Sequence, residues 1–154
     1  MGEDNLFPED MDNELEEDFD DSETVIGYKI APHFDMRSGE FLLNGSGQLI
    51  AANEVTAYVH WCEIVLATDR YKRDAYTDDI GIDYDEIFAS RDREEAELII
   101  ENEISEALAC DPYGRTQFVQ NIEFEWVSPD EVNVSVDVLA LDNELVTVNT
   151  TISR

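Results

Sequence analysis

Three observations predict an α+β fold, with two amphipathic helices packed on a small, mainly antiparallel sheet. The centre of the chain carries two stretches with apolar residues at three- and four-residue steps, the helical period. The C-terminal third changes to strict alternation of apolar and polar residues, the period of a half-buried strand. Turn residues divide that third into three runs, the pattern of an antiparallel meander with one buried face. The chain has 154 residues and 43% apolar side chains, enough for one domain with its own core.

Residues 1–23 hold twelve acids and no base, and are expected to form a solvated arm punctuated by Leu6, Phe7, Leu15 and Phe19. That arm could instead fold onto a neighbouring subunit through those apolar residues. Residues 24–154 are expected to form the single folded domain. Thr24 to Ile30 is rich in β-formers, and Pro32, Gly39, Asn44 and Gly45 signal turns. Phe41-Leu42-Leu43 between them predicts a short strand.

The first helix is predicted from about Gly47 to Ala67, with Val55, Tyr58, Val59, Cys62, Val65 and Leu66 on one face. Residues 68–93 have no long period and predict a loop with a strand-like piece and a helical turn near 85–90. The second helix is predicted from about Asp92 to Cys110. Its stripe is Ala96, Ile100, Ile104, Ala107 and Leu108, with Ile99 beside it. Glu94, Glu95 and Glu97 favour the positive end of its dipole, and Pro112 stops it. Strands follow at Ile122-Phe124-Trp126, at Val132 to Val138, and at Val146, Val148, Thr150 and Ile152. Turns at Ser128–Glu131 and Asp142-Asn143 connect them. Cys62 and Cys110 both fall in apolar helical patterns and are expected to be reduced core thiols.

The formal net charge is −29, of which −12 belongs to residues 1–23 and −17 to residues 24–154. Such a balance argues against nucleic acid and anionic membranes as partners, because both require a basic surface. No apolar run approaches the ~20 residues of a membrane span. No signal peptide is expected from the acidic N-terminus. Lys29 and Lys72 are the only lysines. An acid-rich, lysine-poor surface suits a protein that works in high salt, where screening relieves self-repulsion.

No catalytic or metal-binding pattern stands out. His33 and His60 belong to no spaced ligand set, and no phosphate loop or nucleophile elbow is present. No cofactor or metal is expected. Among 38 acids, some pair always meets a glycosidase's spacing, so carboxylates alone do not identify an enzyme. A terminal strand over 145–152 either closes its own sheet or pairs across a subunit boundary.

From about Phe41 to Ile152 the chain resembles the gene-25-like baseplate wedge and sheath-initiator proteins of contractile phage tails, once labelled lysozyme-like. The resemblance lies in the order of short motifs. A strand and helix end in the turn Leu66-Ala67-Thr68. The loop Asp69-Arg70-Tyr71 follows, then Tyr76 and Ile80-Gly81-Ile82. A second helix ends in an acid-Pro-Arg motif, and a Val-rich hairpin closes the domain. That motif is three consecutive residues in the family. Here it reads Asp111-Pro112, with Arg115 after an inserted Tyr113-Gly114.

The resemblance implies a non-enzymatic structural subunit of the virion tail baseplate or a related injection particle, present in six copies around the hub. Its implied partners are other wedge subunits, the first ring of sheath protein, and the tail tube or hub. Asp111, Pro112 and Arg115 are implied to dock on the wedge, Arg115 through a bidentate contact with a wedge carboxylate; the alternative is a local helix-stop ion pair within the chain. The strand carrying Val146, Val148, Thr150 and Ile152 is implied to pair with sheath strands. Asp69, Arg70, Tyr71 and Gly81 form the family-like loop. The alternatives are an acidic adaptor docking a basic partner through its arm, and a muralytic enzyme.

Overall fold

The computed structural model describes residues 26–154. The acidic arm 1–23 lies outside the described residues.

Four two-residue strands open the described chain: β1 (Ala31–Pro32), β2 (Phe34–Asp35), β3 (Glu40–Phe41) and β4 (Ala51–Ala52). β1 pairs with β4 and β2 with β3, both antiparallel. Between β3 and β4, Leu43 bridges Leu49 across a hairpin whose tip is Asn44–Gln48. The Asn44 carboxamide oxygen accepts from the amides of Ser46 and Gln48, each at 2.9 Å. An Asx turn of this kind closes the tip.

Helix α1 spans Glu54–Leu66. Its predicted start at Gly47 is corrected here: residues 51–52 are strand, and the helix begins only after Asn53. The Asn53 side chain caps it by accepting from the Thr56 amide at 2.7 Å, which satisfies one of the free amides of the first turn. A short helix α2 (Tyr84–Phe88), capped by Asp83, fills the predicted turn. Helix α3 spans Arg93–Ala109, with Asp92 capping the Glu95 amide at 2.9 Å.

The C-terminal third is the predicted meander: β5 (Thr116–Ser128), β6 (Glu131–Ala140) and β7 (Leu145–Ser153), in the order β5-β6-β7. The first strand starts six residues earlier than the alternation at Ile122 indicates. At the β6–β7 turn Asp142 and Asn143 both take left-handed backbone, with φ 59°. Short polar residues tolerate that conformation.

The fold class is therefore α+β, with the helices on one face of the meander. Val132, Val134, Val136, Val138, Val148 and Ile152 point into that face. They meet Tyr58, Cys62 and Leu66 of α1 and Ile100, Ile104 and Leu108 of α3. Each buried aliphatic side chain stabilises the fold by about 1.5–3 kcal/mol. The expectation for the cysteines is half right. Cys62 is buried, and burial pushes its thiol up to about 12, whereas Cys110 is exposed where α3 ends. No described helix is long and apolar enough to cross a membrane.

Candidate docking surfaces

Asp111 and Arg115 meet each other inside the chain. The Arg115 guanidinium grips the Asp111 carboxylate through two bonds, Nε to Oδ2 at 2.9 Å and Nη2 to Oδ1 at 2.7 Å. The Arg115 amide adds a third, to Oδ2 at 2.6 Å. Asp111 is 8% and Arg115 3% exposed. Their sequence spacing is the reason. Pro112 presets the turn, because its ring fixes the backbone. Gly114 takes left-handed backbone, φ 59°, and donates its amide to the Asp111 carbonyl. Arg115 thereby folds back four residues. Three rings then enclose the cation, Tyr58 and Tyr113 at 5.1 Å and Trp61 at 5.4 Å, each presenting its negative face. Burial pushes the Tyr58 hydroxyl well above its ordinary range, and it shares a 2.7 Å hydrogen bond with Thr116. The bidentate contact expected to reach a wedge carboxylate is thus made within the domain. The inserted Tyr113-Gly114 gives the turn the length that allows it.

The family-like loop also comes together around a buried arginine. Arg70 donates Nε to the Gly81 carbonyl at 3.0 Å and pairs with Glu103 at 3.4 Å. Its amide binds the Ile82 carbonyl, and the Ile82 amide binds the Thr68 carbonyl, so Asp69 and Ile82 form a parallel bridge. Gly81 sits at φ +99°, and a Cβ there would lie 2.5 Å from the Thr68 carbonyl oxygen. Tyr71, at φ 68°, turns its ring outward. Buried carboxylates therefore exist at Asp111, which the sequence marks by its motif, and at Glu103, which nothing in the sequence singles out among so many acids. Each faces a buried arginine.

His33 and His60, far apart in sequence, pack against each other with ring centroids 4.9 Å apart and planes tilted by 58°. Burial and the neighbouring His33 hold His60 below the ordinary imidazole range, while Asp35 opposes them. Its Nδ1 is buried without a hydrogen-bond partner. Among the described residues no cluster of three His, Cys, Asp or Glu is placed to hold a metal ion.

The meander has two outer strands, and they differ. β5 breaks register with β6 at three places, between Thr116 and Phe118, Val119 and Asn121, and Trp126 and Ser128. Such bulges spoil an edge as a pairing template. β7 runs in unbroken register with β6 from Leu139↔Leu145 to Glu131↔Ser153. The Ala140 amide binds the Glu144 carbonyl at one end, and the Arg154 amide binds the Asp130 carbonyl at the other. Hydrogen-bonded pairs alternate along an antiparallel ladder. Val146, Val148, Thr150 and Ile152 consequently turn their backbone groups to β6, and their side chains point inward, with Thr150 half-buried. The open backbone groups belong to Leu145, Thr147, Asn149, Thr151 and Ser153. Apart from the exposed Leu145, their side chains continue the polar outer face, where Thr147 binds Asp137 and Thr151 binds Asn133.

Fold and site together define an α+β domain with one regular, open sheet edge and two internally neutralised arginines. The family model for the contractile injection system sheath initiator matches residues 31–143, and the chain belongs to that family. No curated protein matches it. Sheath initiators are structural proteins, which places this chain at the tail of a contractile system among sheath and baseplate components. The match ends before β7 begins.

Proposed function

We propose that this subunit docks on the inner baseplate and seeds the sheath by accepting a strand from the first sheath ring along the outer edge of β7. The observation that carries this reading is the contrast between the two sheet edges, nine regular residues on β7 against three breaks on β5. An incoming strand would bond to the backbone of Leu145, Thr147, Asn149, Thr151 and Ser153. Val146, Val148, Thr150 and Ile152 act one step behind, holding that edge flat on the core. Asp111, Pro112 and Arg115 serve docking as a brace: their buried pair stiffens the turn that presents Tyr113. Six copies around the hub, contact with other wedge subunits and the tube, and service in a high-salt medium complete the proposal.

A proline scan tests the edge. Asn149→Pro removes an outward amide and leaves the β6 ladder intact, a place where edge strands tolerate proline. Val148→Pro removes an inward amide and a core side chain. Asn149→Pro is expected to melt within a few degrees of the parent yet fail to nucleate purified sheath subunits in a sedimentation assay. Val148→Pro is expected to unfold. Normal nucleation by folded Asn149→Pro would reject β7 as the template.

A further inference from the structure

The hairpin between β3 and β4 is exposed on both faces. Phe41, Leu42 and Leu43 are consecutive, so their side chains alternate between the faces. All three are exposed, at 52%, 39% and 56%. Leu49 and Ile50 on the returning arm are 56% and 40% exposed. Three exposed apolar residues in a row are unfavourable in water unless a partner covers them. The β2–β3 ladder and the Leu43–Leu49 bridge are short. Pairings of that size bury too little surface to stabilise a hairpin by themselves.

Charge says what covers it. Residues 26–53 carry Lys29 and Arg37 against Asp35 and Glu40, a net of zero, while residues 54–154 carry −17 and residues 1–23 carry −12. The neutral stretch in this acidic chain coincides with its most exposed apolar surface. A second copy would bring −29 to −29, and the chain's own arm would bring −12 to a body of −17. Both approaches bring like charge toward like charge, a cost that salt lowers but that an uncharged partner surface does not incur at all.

We infer that the hairpin 41–50 is a plug that inserts into an uncharged apolar cleft of another protein of the same particle, with Phe41, Leu43 and Leu49 as its anchors. This docking face is separate from the β7 edge, and it rests on the reading that the chain works inside a contractile particle. Arg115 is enclosed within the domain and takes no part in this face.

The test uses the full chain in assembled particles. A photo-crosslinking amino acid is placed at position 43 or 49, with position 135 on the acidic outer face of the sheet as control. The crosslinked peptide is identified by mass spectrometry. Positions 43 and 49 are expected to join one other particle protein at a neutral, apolar segment, and position 135 is not. In parallel, the double variant Leu43→Thr/Leu49→Thr is expected to keep the parent's melting temperature, since both side chains are already exposed and the two threonines form a favourable uncharged cross-strand pair. Its incorporation into particles is expected to fall about tenfold or more. Crosslinks to a second copy, or to residues 1–25, overturn the inference, as does normal incorporation of the folded double variant. Nucleation of purified sheath by the same variant is measured separately. Retained nucleation with lost incorporation separates this face from the β7 edge, whereas loss of nucleation with normal incorporation overturns the plug and leaves the β7 reading to the proline scan.

Discussion

Arg115 is the most deeply buried charged residue among those described, 3% exposed. Its charge lies out of water, between one carboxylate and three aromatic rings. Removing one member of a buried pair strands the other, at a cost of about 3–5 kcal/mol. Arg115→Ala should therefore lower the stability of the isolated domain by that amount in urea unfolding. A variant as stable as the parent that fails only in assembly would mean that the guanidinium works outward after all. Gly81 is the second such position. Gly81→Ala combines left-handed backbone with a 2.5 Å clash against a carbonyl. By the same measurement it is expected to cost about 2 kcal/mol. The sequence makes these residues visible but not all their partners. Asp111, Arg70 and Gly81 stand out as family motif positions. The local ion pair at the end of the second helix is readable as an alternative for Asp111 and Arg115, four residues apart, whereas the pairing of Arg70 with Glu103 depends on how α3 packs, which no local pattern reports. The contact of His33 with His60 is invisible in sequence, because it joins the opening strands to α1 across a long stretch of chain.

At the scale of elements, periodicity is a good guide wherever an element is half-buried. α3 and the last two strands of the meander fall within a few residues of their predicted limits, because each presents one face to the core and one to water. The failures have the same physical root. Gly47–Ala52 continues the apolar run into α1 but ends in strand, since Asn53 supplies the cap that starts the helix there. Alternation misses the first part of β5 because bulges interrupt it. Nor does it report which residues of β7 could receive a partner. It selects Val146 to Ile152 as the informative positions, yet the ladder turns their backbone groups inward and leaves the intervening ones free. The proline pair at 148 and 149 belongs to this scale: adjacent residues on one strand, with opposite outcomes expected.

For the whole molecule, charge outweighs every other influence outside the core. The described ion pairs are few, and the two at Arg70–Glu103 and Arg115–Asp111 are buried, where salt screens them weakly. The remaining acids repel one another through solvent. Raising salt from about 0.1 M to about 1 M shortens the screening length from about 10 Å to about 3 Å and removes most of that repulsion. The melting temperature of the full chain is expected to climb steadily with KCl in calorimetry. A flat or falling profile would argue against adaptation to high salt.

The Tyr28 hydroxyl donates to the Leu141 carbonyl, and the Gly27 amide to the Tyr113 carbonyl, so the opening segment is tied to residues made far later. During synthesis the N-terminal stretch leaves the ribosome first and waits for its anchors until the last strands emerge. The meander and α3, built from neighbours in sequence, can form quickly once they are out. Throughout that delay the greasy hairpin is presented to solvent with nothing to hold it. The dense negative charge on either side of it works against association of such chains, since like charges repel.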